Sequence, residues 1–248
     1  MWLSAGRDWE RTPANHLKPS SKLMTMRFGG TGGVLALTAM LLAGCGSVSV
    51  TGTPASLPIT GTPRPVLVTA SNTELLSVAE ANKAVLPEPA ADAPLVQKLV
   101  HDLRKDTLLM VQWRGETSGG CKDDTVVLKA GAVTDCVITY EGVQVPWQIT
   151  VSNDFKESDL LVKYTKKPLK GVLLAEAVHA RLAKDFGADG DELRCDELPK
   201  VQLVELGKKL EPKCQYRAKP VRGGGLVYKD VGLEVDARRG GISLVRAR

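Results

Sequence analysis

Residues 136–151 read CVITYEGVQVPWQITV, and their pattern decides the fold class. Successive side chains of a strand point to opposite faces, so Cys136, Ile138 and Tyr140 fall on one side of an extended chain. Glu141-Gly142 then supplies a tight turn. In the returning run Val143, Val145, Trp147, Ile149 and Val151 share a side. Two alternating runs joined by two residues that include a glycine are the signature of an antiparallel hairpin. Pro146 restricts the second run to an edge, or to a place where its missing N–H is not needed. Downstream, DLLVKYT (159–165) adds a third strand.

Upstream, PLVQKLVHDLRKD (94–106) places Leu95, Leu99 and Leu103 at i, i+4 and i+8, with Val96 and Val100 beside them. That spacing predicts an amphipathic helix of about three turns, opened by Pro94 in its first turn. The same plan recurs. VLLAEAVHARLAKDFG (172–187) puts Leu174, Val178, Leu182 and Phe186 on one helical face, with Gly187 as a stop. CQYRAKPV (214–221), LVYKDVGLEVDA (226–237) and ISLVRAR (242–248) then read as three strands, turned at Arg222-Gly223-Gly224-Gly225 and at Arg238-Arg239-Gly240-Gly241. A helix laid on one face of a small sheet buries the apolar faces of both. The expectation is an α+β chain with two tandem small domains, 93–167 and 168–248. Each would be a helix packed on an antiparallel β-meander.

Cysteine usage agrees with this plan. Aromatics make up only 4% of the 248 residues, so Val and Leu must carry the core. Small cores outside the cytoplasm are commonly braced by disulfides. Cys121, Cys136, Cys195 and Cys214 allow three pairings. Their spacing favours the local pairs Cys121–Cys136 and Cys195–Cys214, one per domain, each contributing roughly 3 kcal/mol by loop closure. The rival, a four-cysteine metal site, lacks any C-x-x-C pair. No metal is expected.

The fifth cysteine has another setting. Val34–Ala43 carries no charge and is too short to span a bilayer, but suits the apolar core of a secretory signal. Arg27 precedes it, and Leu42, Ala43 and Gly44 lead into Cys45. Leu42-Ala43-Gly44-Cys45 resembles the lipobox of bacterial lipoproteins. The resemblance implies cleavage before Cys45, with Leu42, Ala43 and Gly44 recognised by the peptidase, and a diacylglycerol on the Cys45 thiol. Residues 1–44 are thus expected to be a signal peptide. Within it, residues 1–23 fit neither signal nor domain, and Met24 and Met26 are the plausible starts. Residues 45–92 read as a tether rich in Pro, Ser and Thr, including Pro54, Pro58, Pro63 and Pro65. Val66–Val68 is a possible edge strand, and a short helix is expected after a cap at Asn72 or Thr73.

Both cysteine units resemble a small two-cysteine domain of unknown function found in actinobacterial lipoproteins and secreted proteins. The second unit carries Cys195-Asp196-Glu197-Leu198-Pro199, Gly207 and Cys214. The first carries Cys121, Asp123, Asp124, Gly131 and Cys136, but lacks Leu-Pro after Cys121 and has an extra RGETSGG before it. The resemblance implies no catalytic residues.

Charge and motifs narrow the function. The chain has a formal net charge of +5, from 33 Lys and Arg against 28 Asp and Glu. The segment 1–44 holds five of the former and two of the latter, which leaves 28 against 26, or about +2, for the rest. Nucleic acid is therefore not an expected partner. Neither G-x-S-x-G nor H-E-x-x-H occurs, and RGGGLV fits no phosphate-binding loop. No cofactor is expected. His101 and His179 are read as half-exposed at helix borders rather than as metal or pH-sensing sites. The acids of CKDD and CDE are read as solvated loop charges. The basic C-terminal segment (Arg217, Lys219, Arg222, Lys229, Arg238, Arg239, Arg246, Arg248) is read as a solvated sheet face, the alternative being attraction for anionic headgroups or wall polymers. Trp113 and Trp147 are placed in or beside the first core. The expected protein is a lipid-anchored, extracytoplasmic, non-enzymatic interaction module. It would hold the membrane through Cys45 and engage a cell-envelope protein or polymer. An envelope hydrolase and a structural spacer are the alternatives.

Overall fold

The computed structural model describes residues 57–218 and 224–247, a mixed α+β structure built mostly of strands, with three helices and two disulfides. In chain order the elements are β1 (Ile59–Thr60), β2 (Val66–Leu67), α1 (Val78–Ala84), α2 (Leu95–Val111), β3 (Thr117–Cys121), β4 (Val133–Tyr140), β5 (Val143–Val151), β6 (Tyr164–Pro168), β7 (Gly171–Leu174), α3 (Ala175–Phe186), β8 (Gly190–Cys195), β9 (Val201–Val204), β10 (Lys209–Ala218), β11 (Leu226–Val235) and β12 (Ile242–Arg246). Cys45 and its flank Leu42, Ala43 and Gly44 lie outside the described residues, as do Lys219, Arg222 and Arg248.

The hairpin forms as its pattern predicts. Cys136 faces Trp147, Ile138 faces Val145 and Tyr140 faces Val143 across the β4–β5 ladder. Glu141 and Gly142 both take positive φ, 46° and 82°, as a two-residue turn of the twisted hairpin type requires. The sheet runs β3-β4-β5-β6, so β5 is central and not an edge. Pro146 is accommodated there because the β5–β6 register ends at Trp147↔Pro168. Its carbonyl accepts from Leu169 N at 2.9 Å just beyond that point, on the flank where its own N–H is missing. In the second half two strands again face each other at a disulfide, but β9 lies between them in sequence and pairs with β7 in a separate two-stranded sheet. β8 ends at Cys195, β10 carries Cys214 directly opposite, and β11 and β12 continue the antiparallel meander. In the first half Cys121 is likewise opposite Cys136. The disulfides are Cys121–Cys136 and Cys195–Cys214, as the spacing favoured.

Three features depart from the sequence reading. Helix α2 continues past Asp106 to Val111, because Thr107, Leu108, Met110 and Val111 keep a buried face. Helix α3 begins at Ala175, since Gly171–Leu174 is a strand buried on both faces. Val172 and Leu174 enter the first core and Leu173 the second, so β7 belongs to both. The described residues accordingly fall in one compact unit, and tandem independent domains are not evident. Helix α1 is capped by Ser77, not by Asn72 or Thr73. The Ser77 hydroxyl receives Glu80 N and the Glu80 carboxylate receives Ser77 N, a capping box.

The described part of the expected tether is not a spacer. β1 pairs in parallel with β11, and β2 pairs with β8 at the opposite side of the same sheet. Residues 61–65 cross the sheet face between them as a strap. The strand order β1-β11-β10-β8-β2 sets four spacings, about 19 Å at ~4.8 Å each. The six steps from Thr60 to Val66 reach roughly 20–22 Å when extended, which fits. Gln215, buried under the strap, receives Arg64 N at 3.1 Å and donates to Thr62 O at 3.1 Å. Farther on, Leu76, Ala81 and Val85 complete the first core. The strap closes sheet edges that would otherwise be free to pair with another chain.

Candidate functional site

A concavity lined from both halves lies where α2 meets the β11–β12 turn. It is a half-open cleft of about 660 Å³, within the ~300–1,000 Å³ usual for small-molecule sites. Its apolar floor is Leu76, Leu109, Met110, Trp147, Pro168 and Ile242. Trp147 is held in place by its indole N–H, which donates to Thr107 Oγ1 at 3.1 Å, while that hydroxyl donates to Leu103 O at 2.8 Å. Both residues are buried, so the chain of bonds satisfies groups with no access to water.

The rim is charged. Lys166 pairs with Asp106 at 2.6 Å. Arg181, from α3, donates to Gln112 Oε1 and lies 3.9 Å from Asp185. Gln112 itself takes φ 57° to end α2, and its carbonyl accepts Leu76 N at 2.9 Å. One residue therefore ties together α2, α3 and the approach to α1. Arg238 and Arg239 occupy the β11–β12 turn. Their backbone N–H groups donate to Asp236 Oδ1 at 2.8 and 2.6 Å, and these bonds hold the Asp236 carboxyl below the usual range. Neither guanidinium forms an ion pair among the described residues.

The turn is seated by glycines. A Cβ on Gly171 would stand 2.4 Å from Gly240 O, and one on Gly241 would stand 2.9 Å from Met110 O. Only bare backbone lets β7, the turn and the end of α2 approach this closely.

The remaining sequence candidates are placed as follows. His101 is buried rather than half-exposed, with Nε2 3.0 Å from Val85 O. His179 is half-buried, as expected. Burial pushes its imidazole pKa down, Glu176 opposes this, and its Nε2 has no partner among the described residues. Asp196 is not a solvated loop charge. It accepts both contacts of Arg64 Nη1 at 2.6 Å and Lys213 N at 2.8 Å. Burial opposes the shift, yet these partners hold its carboxyl below the ordinary value. Lys122–Asp124 forms a short 3-10 turn in which Asp123 and Asp124 have positive φ. No group of three or more metal-ligating side chains gathers among the described residues.

Two residues of the basic C-terminal segment are internally neutralised. Arg217 pairs with Asp191 and Glu192, and Arg246 pairs with Asp189 while stacking over Phe186 and Tyr216. Trp113 packs half-buried against the first core. The cleft as a site was not visible in the sequence, where Arg238-Arg239-Gly240-Gly241 reads only as a turn. The paired arginines beside paired glycines were its one available signal. No helix of the described residues is long and apolar enough to cross a membrane. No protein-family model, curated protein or solved structure matches the chain.

Proposed function

We propose that the chain is a lipid-anchored protein of the extracytoplasmic membrane face that binds a cell-envelope component without catalysis. The two halves are read as copies of one two-cysteine module, and the cleft between them as the binding site. The observation that carries this reading is the cleft itself: apolar floor, charged rim, and walls drawn from both halves. The anchor is supported by Leu42-Ala43-Gly44-Cys45 behind an uncharged run. At this cleft binding is favoured over hydrolysis because its lining contains neither histidine nor cysteine. A mere spacer would have no use for two arginines kept unpaired over an apolar floor.

Two measurements test it. Cys45→Ala should release the protein into the soluble fraction or leave it unprocessed, and normal processing with membrane retention would end the anchor assignment. Ser243→Trp places an indole at the exposed cleft wall. Crosslinking in intact cells should recover a partner with the parent chain and lose it with Ser243→Trp. Unchanged crosslinking, or turnover of envelope material that survives Ser243→Trp, would overturn the cleft as the site.

A further inference from the structure

We infer that the cleft's ligand is an anionic amphiphile, a lipid with a phosphate-bearing head and an acyl chain, a deeper version of the binding reading above and dependent on it. Two halves of the cleft ask for two chemistries in one molecule. Leu76, Leu109, Met110 and Ile242 offer apolar surface in the lining, and an acyl chain laid on it would remove that surface and its own from water. The charge of the lining as a whole is positive. The lining carries Lys166, Arg181, Arg238 and Arg239 against Asp106 and Asp236, four against two, for a net +2.

The acids are already engaged, Asp106 with Lys166 and Asp236 with the backbone N–H groups of its own turn. Arg181 lies 3.9 Å from Asp185, so the excess positive charge rests with Arg238 and Arg239, offset in part by the Asp236 carboxylate of the same turn. Guanidinium groups present several N–H donors in a planar fork, which matches phosphate oxygens. Both arginines, adjacent on one tight turn, belong to the cleft lining. The turn cannot drift, because Gly240 and Gly241 are seated against Gly171 and Met110. Elsewhere on this surface Arg64, Arg194 and Arg217 are spent on internal carboxylates. An apolar ligand would leave the two arginines idle, and a small anion would leave the floor wet.

The test uses the full-length chain carrying Cys45→Ala, so that no acyl group of its own competes. Calorimetric titration below the micelle threshold compares dodecyl phosphate, dodecanol and inorganic phosphate. Dodecyl phosphate should bind at least about tenfold tighter than either of the other two. The double variant Arg238→Ala/Arg239→Ala should weaken it by about tenfold or more, each lost charge-assisted contact being of that order. The same variant should leave dodecanol binding and the melting temperature unchanged. Absence of dodecyl phosphate binding, equal binding by the double variant, or equal binding of bare phosphate would each overturn the lipid assignment. If dodecyl phosphate fails while Ser243→Trp still abolishes crosslinking in cells, the binding role stands with another ligand. If both fail, the cleft is not a site.

Discussion

Gly171→Ala isolates the close approach of β7 to the β11–β12 turn. Gly171 does not have positive φ, so alanine meets no backbone penalty there. Every cost comes from the new methyl. Its Cβ would lie 2.4 Å from Gly240 O, 2.7 Å from Val235 Cγ1 and 3.2 Å from Gly240 C. Ordinary contact starts at 3.4 Å, so the turn must retreat by about 1 Å. That turn is braced by Asp236 N donating to Gly241 O at 2.8 Å and by Gly240 N donating to Asp236 O at 3.0 Å. It must therefore move as a piece. Overpacking costs ~1–3 kcal/mol, and an obstacle made of backbone belongs at the upper end. Against this, alanine stiffens the unfolded chain by ~0.4–1 kcal/mol. The net expectation is a loss of about 2 kcal/mol, a fall of roughly 4–8 °C in melting temperature for a chain of this size. Urea titration followed by circular dichroism, with the disulfides intact, measures it. Gly240→Ala serves as comparison, because its nearest neighbours are Gly171 Cα at 3.0 Å and the flexible Met110 Cε at 3.1 Å, at φ 71°. A Met110→Ala background should recover part of the loss for Gly240→Ala and none for Gly171→Ala. Stability of Gly171→Ala within ~0.5 kcal/mol of the parent would refute the tight seating, as would equal rescue of both variants by Met110→Ala.

Other outcomes follow from the same geometry. Thr107→Val keeps the shape but leaves the Trp147 indole N–H without an acceptor, and should cost ~1–3 kcal/mol in urea titration, whereas Thr107→Ser should keep the bond; equal losses would dismiss the hydrogen bond as the cause. Glu80 sits with its carboxyl pulled down to about 2, first by Ser77 N–H and then by the Ser77 hydroxyl and Arg114. Because the folded value lies below the ordinary 4.5, its stabilisation is complete above that pH and fades as pH falls toward 2. Glu80→Gln should flatten the acid limb of the stability profile in that window, and an unchanged limb would remove Glu80 from the account. Peptide mapping without reduction should join Cys121 to Cys136 and Cys195 to Cys214, and removing the second bridge by Cys195→Ala/Cys214→Ala should cost about 3 kcal/mol for its 19-residue separation. Crossed links, or a variant as stable as the parent, would contradict the local pairing.

The β4–β5 hairpin was legible because one face is buried and the other wet, which writes a period of two into Cys136–Val151. Residues 172–174, read as the opening of a helix, are strand for the opposite reason. Both faces are buried, so the run GVLL carries no period, and the helical spacing of Val178 and Leu182 extends over it by chance. The strap was misread because Pro58, Pro63 and Pro65 suit a linker as well as they suit a chain that crosses a sheet without entering its ladder. Cysteine pairing was legible from spacing alone. The cleft was not, because two arginines in a turn look like any polar loop until Gly240 and Gly241 are seen against Met110.

The strap sets how the molecule carries load. Among the described residues, a pull from the N-terminal side meets Pro58–Thr60 beside Leu226–Val227 before it meets the Arg64 clasp on Asp196 and Asp230. A pull along a parallel pair shears its bonds together instead of unzipping them one at a time. From Cys45 to Ile59 the chain spans at most about 50 Å at ~3.5 Å per residue. If Cys45 carries the acyl chains proposed above, that contour length is the upper bound on the distance between Ile59 and the bilayer surface.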